Sequence, residues 1–216
     1  MQNHTPTPLA PLAHAVGSAE RRAKILDAAE RCFVRSGFHR TTMQDVAAEA
    51  GMSPGNLYRY FSSKDAMVAG LAERDRAELG RDFASIPPTD DFRADFRRLG
   101  RKHFQEESRD KAVLCMEIWA EATRNPAVAA INAEFELDVR QRLAELFEKG
   151  KQHGAVAAGV DCEAAALVAC IVSNGLFVRR ACAKDFDAER EVDGVLAVFG
   201  ALLDGKIDLT RSKDQT

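Results

Sequence analysis

Apolar residues recur along this chain at spacings of three and four and nowhere alternate as in a strand, so the expected fold is all-α. Ile25, Ala28, Ala29, Cys32 and Phe33 form the first stripe, opened by Ser18 as N-cap and closed by Gly37. Thr42 followed by Asp45 is a capping-box start. Met43, Val46, Ala47 and Ala50 then line one face of a short helix that Gly51 stops. Ser53-Pro54 restarts the helix, with a hydroxyl at the N-cap and a proline where no amide hydrogen is needed. Leu57, Tyr60 and Phe61 anchor this second short helix by their spacing, and Ser63 caps a long one from Lys64 towards Phe83.

Ile86-Pro87-Pro88-Thr89 is the clearest break, since two prolines cannot continue a helix. Five further helices follow, over roughly 91–107, up to about Arg124, 126–150, 161–183 and 187–204, with a loop at Gly154–Gly159. That makes about nine helices. Residues 1–17, with three prolines and no helical period, are expected to be a disordered lead-in. The domains then read as 18–63, a three-helix domain; 64–204, a helical domain; and 205–216, a polar tail.

Two short helices joined by a Gly-containing turn form a helix-turn-helix, whose second helix enters the major groove of DNA. Opposite Leu57 that helix carries Gly55, Asn56, Tyr58 and Arg59. Gly55 lets the backbone approach, and Asn56 and Arg59 can donate to base edges or phosphate. The string Thr41-Thr42-Met43-Gln44-Asp45-Val46-Ala47 … Gly51-Met52-Ser53-Pro54-Gly55-Asn56-Leu57-Tyr58-Arg59-Tyr60-Phe61-Ser62-Ser63-Lys64-Asp65 closely resembles the DNA-binding domain of TetR/AcrR-family transcriptional regulators. The resemblance runs from about Ala23 to Leu71 without a departure from the family pattern. It implies an all-helical homodimer on a double-stranded DNA operator, whose C-terminal domain binds a small molecule and thereby releases the DNA. The DNA contacts expected are Thr41, Thr42, Ser53, Pro54 and Gly55, then Asn56, Tyr58, Arg59, Tyr60 and Lys64. Arg22, Lys24 and Arg40 are candidate phosphate contacts, beside the plainer reading as solvated charges.

A net charge of −3 looks wrong for a DNA-binding chain until it is divided. Residues 1–81 hold 11 Lys/Arg against 9 Asp/Glu, and the remainder holds 19 against 24. The basic part is the one with the helix-turn-helix, but only mildly, so binding should rest on a few placed contacts. The five cysteines form no C-x-x-C pair, and the five histidines have no metal-ligand spacing. No phosphate loop, nucleophile elbow or carboxylate pair points to an enzyme, and no cofactor is implied. No signal peptide opens the chain, and the longest uncharged helical stretch, 164–178, falls short of a membrane span. The expectation is a cytoplasmic protein without a membrane partner.

The helix over 161–183 is apolar or small on all sides, which demands cover on all sides. A four-helix contact between two subunits meets that demand, through Leu167 and Ile171 on this helix and Val192, Leu196, Phe199 and Leu203 on the last. The family resemblance points to the same two helices. It also places the effector among the helices after the Pro-Pro break. That region supplies Phe92, Phe96, His103, Phe104 and Cys115, followed by Met116, Trp119, Phe135, Asn174 and Phe177, an aromatic lining with few polar groups. The expected ligand is apolar or aromatic with a small polar handle. Glu117 and Glu121 would attract a cation only by facing inward. Efflux control and metabolic regulation both stay open, as does a constitutive or redox-sensing regulator, with Cys115 the leading thiol.

Overall fold

The computed structural model describes residues 10–87, 92–207 and 209. Among them are nine helices and no strand: α1 Ala10–Ser36, α2 Met43–Glu49, α3 Pro54–Tyr58, α4 Lys64–Ala84, α5 Phe92–Gln105, α6 Arg109–Ala122, α7 Pro126–Gln152, α8 Cys162–Cys182 and α9 Ala188–Leu203. The chain divides into two compact units, Met1–Gly70 and Leu71–Thr216, with the division falling inside α4.

In the first unit the helix ends fall where side chains satisfy orphan backbone groups. The Asp45 amide donates to Thr42 Oγ1 at 3.2 Å and the Thr42 amide donates to the Asp45 carboxylate at 2.8 Å, a complete capping box. The Thr42 hydroxyl also donates to that carboxylate, and these bonds hold the Asp45 carboxyl below its usual range. At the other end Gly51 sits at φ +68°, its amide donating to Ala48 O at 3.1 Å and the Met52 amide to Ala47 O at 2.9 Å. That is a Schellman closure, and a side chain at Gly51 would carry the left-handed penalty of about 1–2 kcal/mol. The Ser53 hydroxyl accepts from the Asn56 amide at 3.3 Å, with Pro54 in the first turn of α3. Beneath these caps Ile25, Ala29 and Phe33 of α1, Val46 and Ala47 of α2, and Leu57 of α3 are fully buried.

Two boundaries differ from expectation. α1 begins at Ala10, not Ser18, so residues 10–17 continue the helix, and only 1–9 of the expected lead-in lie outside the described residues. Ala10, Leu12, Ala13 and Ala15 are strong helix formers, and Pro11 falls in the first turn, where its missing N–H costs nothing. α3 ends at Tyr58, and Tyr60 and Phe61 follow in a tight turn whose amides both donate to Leu57 O.

In the second unit α8 packs against α6, α7 and α9, and α5 against α9. The main core gathers Phe92, Phe147, Val156, Ala165, Ala166 and Phe199, among others. Arg93 ties it together. Its guanidinium donates to Ala155 O at 2.8 Å, Gly200 O at 3.0 Å and the Asp204 carboxylate at 2.7 Å. Leu209 also packs on this core, so the expected polar tail is not wholly polar in its contacts. At 21 residues α8 outruns the uncharged stretch seen in sequence, and by length and composition alone it could cross a membrane. Its Ala165, Ala166, Ala169 and Leu176 are instead buried within the unit, and Arg179 and Arg180 occupy its last turn.

Candidate nucleic-acid interface and ligand site

α3 has one face inward and one face out. Leu57 is 0% exposed, while Ser53, Pro54, Gly55, Arg59 and Tyr58, the last at 49%, lie on the surface. Asn56 and Tyr60 are half-buried and Thr42 is exposed. An exposed tyrosine and, at the C-cap, an exposed arginine follow the anchoring leucine at the end of a helix of five residues, whose ends are fixed by Ser53, Pro54 and the turn onto Leu57 O. This element is built to present side chains rather than to fill a core.

Two of the expected DNA contacts are spent elsewhere. Thr41 is 2% exposed, and its hydroxyl lies 2.8 Å from Gly37 O and 3.1 Å from Cys32 O, so it fastens the turn after α1. The capping box takes Thr42 to the surface and turns its neighbour inward. Lys64 Nζ donates to Phe38 O at 2.6 Å and His39 O at 3.3 Å and sits 4.5 Å from the Phe38 ring centroid. Its ammonium latches the start of α4 onto the α1–α2 corner and is not the open cation expected at that helix end. Arg22 likewise lies 4.3 Å over the Phe61 ring and donates to Tyr60 O at 3.5 Å. Sequence reading missed Glu49, which accepts from Arg31 at 2.7 Å and Arg35 at 3.1 Å. The α1 spacing Arg31–Arg35, one turn apart, was the available signal.

The expected ligand-site residues separate into two groups. Phe92 is fully buried, its ring tip about 3.0 Å from where a Cβ on Gly150 would stand, and it is core rather than lining. Phe96 belongs with it, stacked on Phe92 at 6.3 Å and edge-on to Phe147 at 5.5 Å. The other group converges on Phe177 of α8. His103 lies 5.7 Å, Phe104 5.8 Å and Trp119 6.4 Å from its ring centroid, each near-perpendicular. His103 and Phe104 meet at 4.7 Å. All four keep some accessible surface, as do Cys115, Met116, Phe135 and Asn174. Glu121 faces inward but is paired with Arg124 at 2.6 Å, so it offers no open carboxylate.

His103 exposes a fraction of its surface yet is hemmed in deeply enough that burial pushes its pKa down to about 4, with Lys111 and Lys102 opposing protonation against Asp75 and Asp82. The unfolded chain binds a proton near pH 6.5 that the folded chain refuses. Stability is therefore full above that pH and falls as the pH drops towards 4, by at most about 3 kcal/mol. Thermal unfolding between pH 4 and 7 should show this loss in the wild type and a shallower one in His103→Leu. Equal slopes would place the histidine in a solvated setting. Burial pushes the Cys32 and Cys170 thiols up and Cys162 to about 12, which keeps these three protonated.

Caps, a two-helix reader and an all-helical second unit together define a helix-turn-helix DNA-binding protein. Residues 25–71 match the family of bacterial regulatory proteins of the tetR type, and residues 92–204 match the C-terminal region of BetI-type transcriptional repressors. The chain belongs to the TetR family of transcriptional regulators, whose members bind DNA operators and typically act as dimers. It is similar to the HTH-type transcriptional regulator UidR of Escherichia coli, 26% identical over 188 residues, 84% of this chain and 92% of UidR. TtgR of Pseudomonas putida, another HTH-type regulator, is 43% identical over 54 residues, 25% of this chain and 26% of TtgR. Among solved structures, Salmonella enterica GusR superposes with a TM-score of 0.75 at 26% identity, covering 90% of this chain and 97% of that one.

The structure also moves half of the expected dimer contact. On α9 Val192, Leu196, Phe199 and Leu203 are buried in the protomer's own core, where Phe199 and Leu203 join Phe92 and Phe147, and Val192 and Leu196 join Leu176. They cannot form a surface. Beyond the charged Glu189 and Arg190, what α9 leaves outside is Gly194, Ala197 and Val198, the last 52% exposed. On α8 Leu167 and Ile171 do point out, at 45% and 61%, with Val178 two turns on.

Proposed function

We propose that the protein is a ligand-responsive repressor that acts in the cytoplasm, binding a palindromic operator as a homodimer and leaving it when a small apolar or aromatic effector binds. The observation that carries this is the two-sided α3, with Leu57 buried and Tyr58, Arg59 and Gly55 presented outwards. A five-residue reader covers one half-site, so a second copy is needed, with the two readers about 34–36 Å apart on successive major grooves. The outward Leu167, Ile171 and Val178 of α8, with Val198 of α9, supply a self-complementary apolar face for that copy. Cys115, Met116, Phe135 and Asn174, each half-buried on the helices of Trp119 and Phe177 or on α7 beside them, are further candidates for the effector's lining. The effector acts by preferring one spacing of the readers, and α4, continuous across the division at Gly70, carries the change.

Selection of bound fragments from random DNA, followed by footprinting, tests the reading. Two protected, inverted half-sites are expected. Arg59→Ala should then cost about 1–3 kcal/mol of operator binding, concentrated at one base pair. An equal loss on every sequence would make Arg59 a phosphate contact, and a single protected half-site would sink the dimeric reading.

A further inference from the structure

The Phe177 cluster contains one imidazole, set among aromatic rings. Among the described residues none hydrogen-bonds to the nitrogens of His103, whose ring lies against those of Phe104 and Phe177. A neutral imidazole carries one donor and one acceptor, and on the half-buried His103 both nitrogens keep enough surface for a ligand atom to reach them. The charges around it, by contrast, are already engaged. Lys111 is paired with Asp75 and Lys102 with Asp82, the latter at 2.8 Å. Arg180 of α8 is held on the carbonyls of Phe104 and Glu107 and lies 4.8 Å over the Phe186 ring. A charged ligand would enter this site stripped of water and find Lys102, Lys111, Asp75, Asp82 and Arg180 already engaged, whereas a hydroxyl would find an open histidine. The rings present edges and faces for an aromatic body, since near-perpendicular contacts are the favoured geometry for such pairs.

We propose that the His103–Phe104–Trp119–Phe177 cluster takes an uncharged aromatic compound whose hydroxyl hydrogen-bonds to His103. This rests on the effector reading above and narrows it: the polar handle is a neutral hydroxyl, and acids and amines of the same shape are rejected. His103 selects the handle, while Phe104, Trp119 and Phe177 hold the ring. Neither Cys115 nor Glu121 has a part in the selection.

Trp119 is the chain's only tryptophan, so its fluorescence reports on this site alone. Three probes of one shape separate the possibilities: para-butylphenol, butylbenzene and para-butylbenzoate, each titrated against the full-length protein. The phenol should bind about five- to tenfold more tightly than butylbenzene, the worth of one hydrogen bond, and the benzoate should bind weakest. In His103→Leu the phenol should fall to the level of butylbenzene, which itself changes little. His103→Gln, which keeps a donor and an acceptor, should restore part of the difference, and thermal unfolding checks that both variants fold. Tightest binding by the benzoate, or an equal loss of phenol and butylbenzene in His103→Leu, would overturn the proposal. If the benzoate binds and also releases the operator, the effector reading survives and only the choice of handle fails. If no probe alters Trp119 fluorescence, the site is packed core and the proposal falls.

Discussion

Ile171→Asp is expected to give a folded monomer that has lost operator binding by more than about a hundredfold. The side chain is 61% exposed in the single chain, so an aspartate there costs the protomer little. In a twofold contact the same substitution appears twice, and each carboxylate would lose water against Leu167 and Val178 of its own helix and their symmetry mates. Several kcal/mol of opposition is enough to part a dimer at micromolar concentration. Sedimentation should show the monomer, circular dichroism an intact helix content, and gel shift the lost operator complex. Leu196→Asp is the contrasting variant, since it buries the charge in the protomer's own core and should unfold the second unit. A dimer that persists in Ile171→Asp would mean that a different face joins the subunits.

The second large effect is expected from Leu57→Ala. Leu57 is fully buried and is the inward anchor of a helix only five residues long. Truncating a buried leucine costs about 2–5 kcal/mol, of which the cavity left behind is a part. That is a large share of what a unit of 70 residues can spare. Operator binding should fall with the stability of the first unit, while the Trp119 signal of the second keeps its wild-type melting point. Tyr58→Ala, on the outward side, should weaken DNA binding and leave stability alone. Melting of Leu57→Ala at the wild-type temperature would show that α3 is held by something other than its leucine.

Much of the first unit can be read from the chain because its determinants are local. Thr42–Asp45, Ser53–Asn56 and Gly51 fix helix ends through side chains three residues apart and one backbone angle, and all three stand where their residue types place them. Thr41 shows the limit. Adjacent threonines look alike in sequence, yet the one that caps is exposed and the one beside it is buried under Gly37 and Cys32. In the second unit helix boundaries were equally legible, but directions were not. The apolar stripe of α9 looks in sequence like the cover that the all-apolar helix before it needs from a second subunit. It faces the protomer's core, and the outer face is a weaker run of Gly194, Ala197 and Val198. The aromatic residues after the Pro-Pro break could be named but not grouped. Phe92 is core because Gly150 lies against it, and nothing near Phe92 in sequence says so. His103 is distinctive only because Asp75, Lys111 and Phe177 come to it from three other helices.

Arg93 carries a consequence for the order of folding. Its carboxylate partner is 111 residues away at Asp204, and its carbonyl partners are 107 and 62 residues away. The ties of the first unit are short by comparison: Lys64 to Phe38 spans 26 residues and Thr41 to Cys32 only nine. Contacts between near neighbours close early, and those that enclose long loops close late. A ribosome making this chain therefore finishes every partner of the first unit's short ties well before α9 has been made, and until then Arg93 waits for the last helix of the unit it fastens.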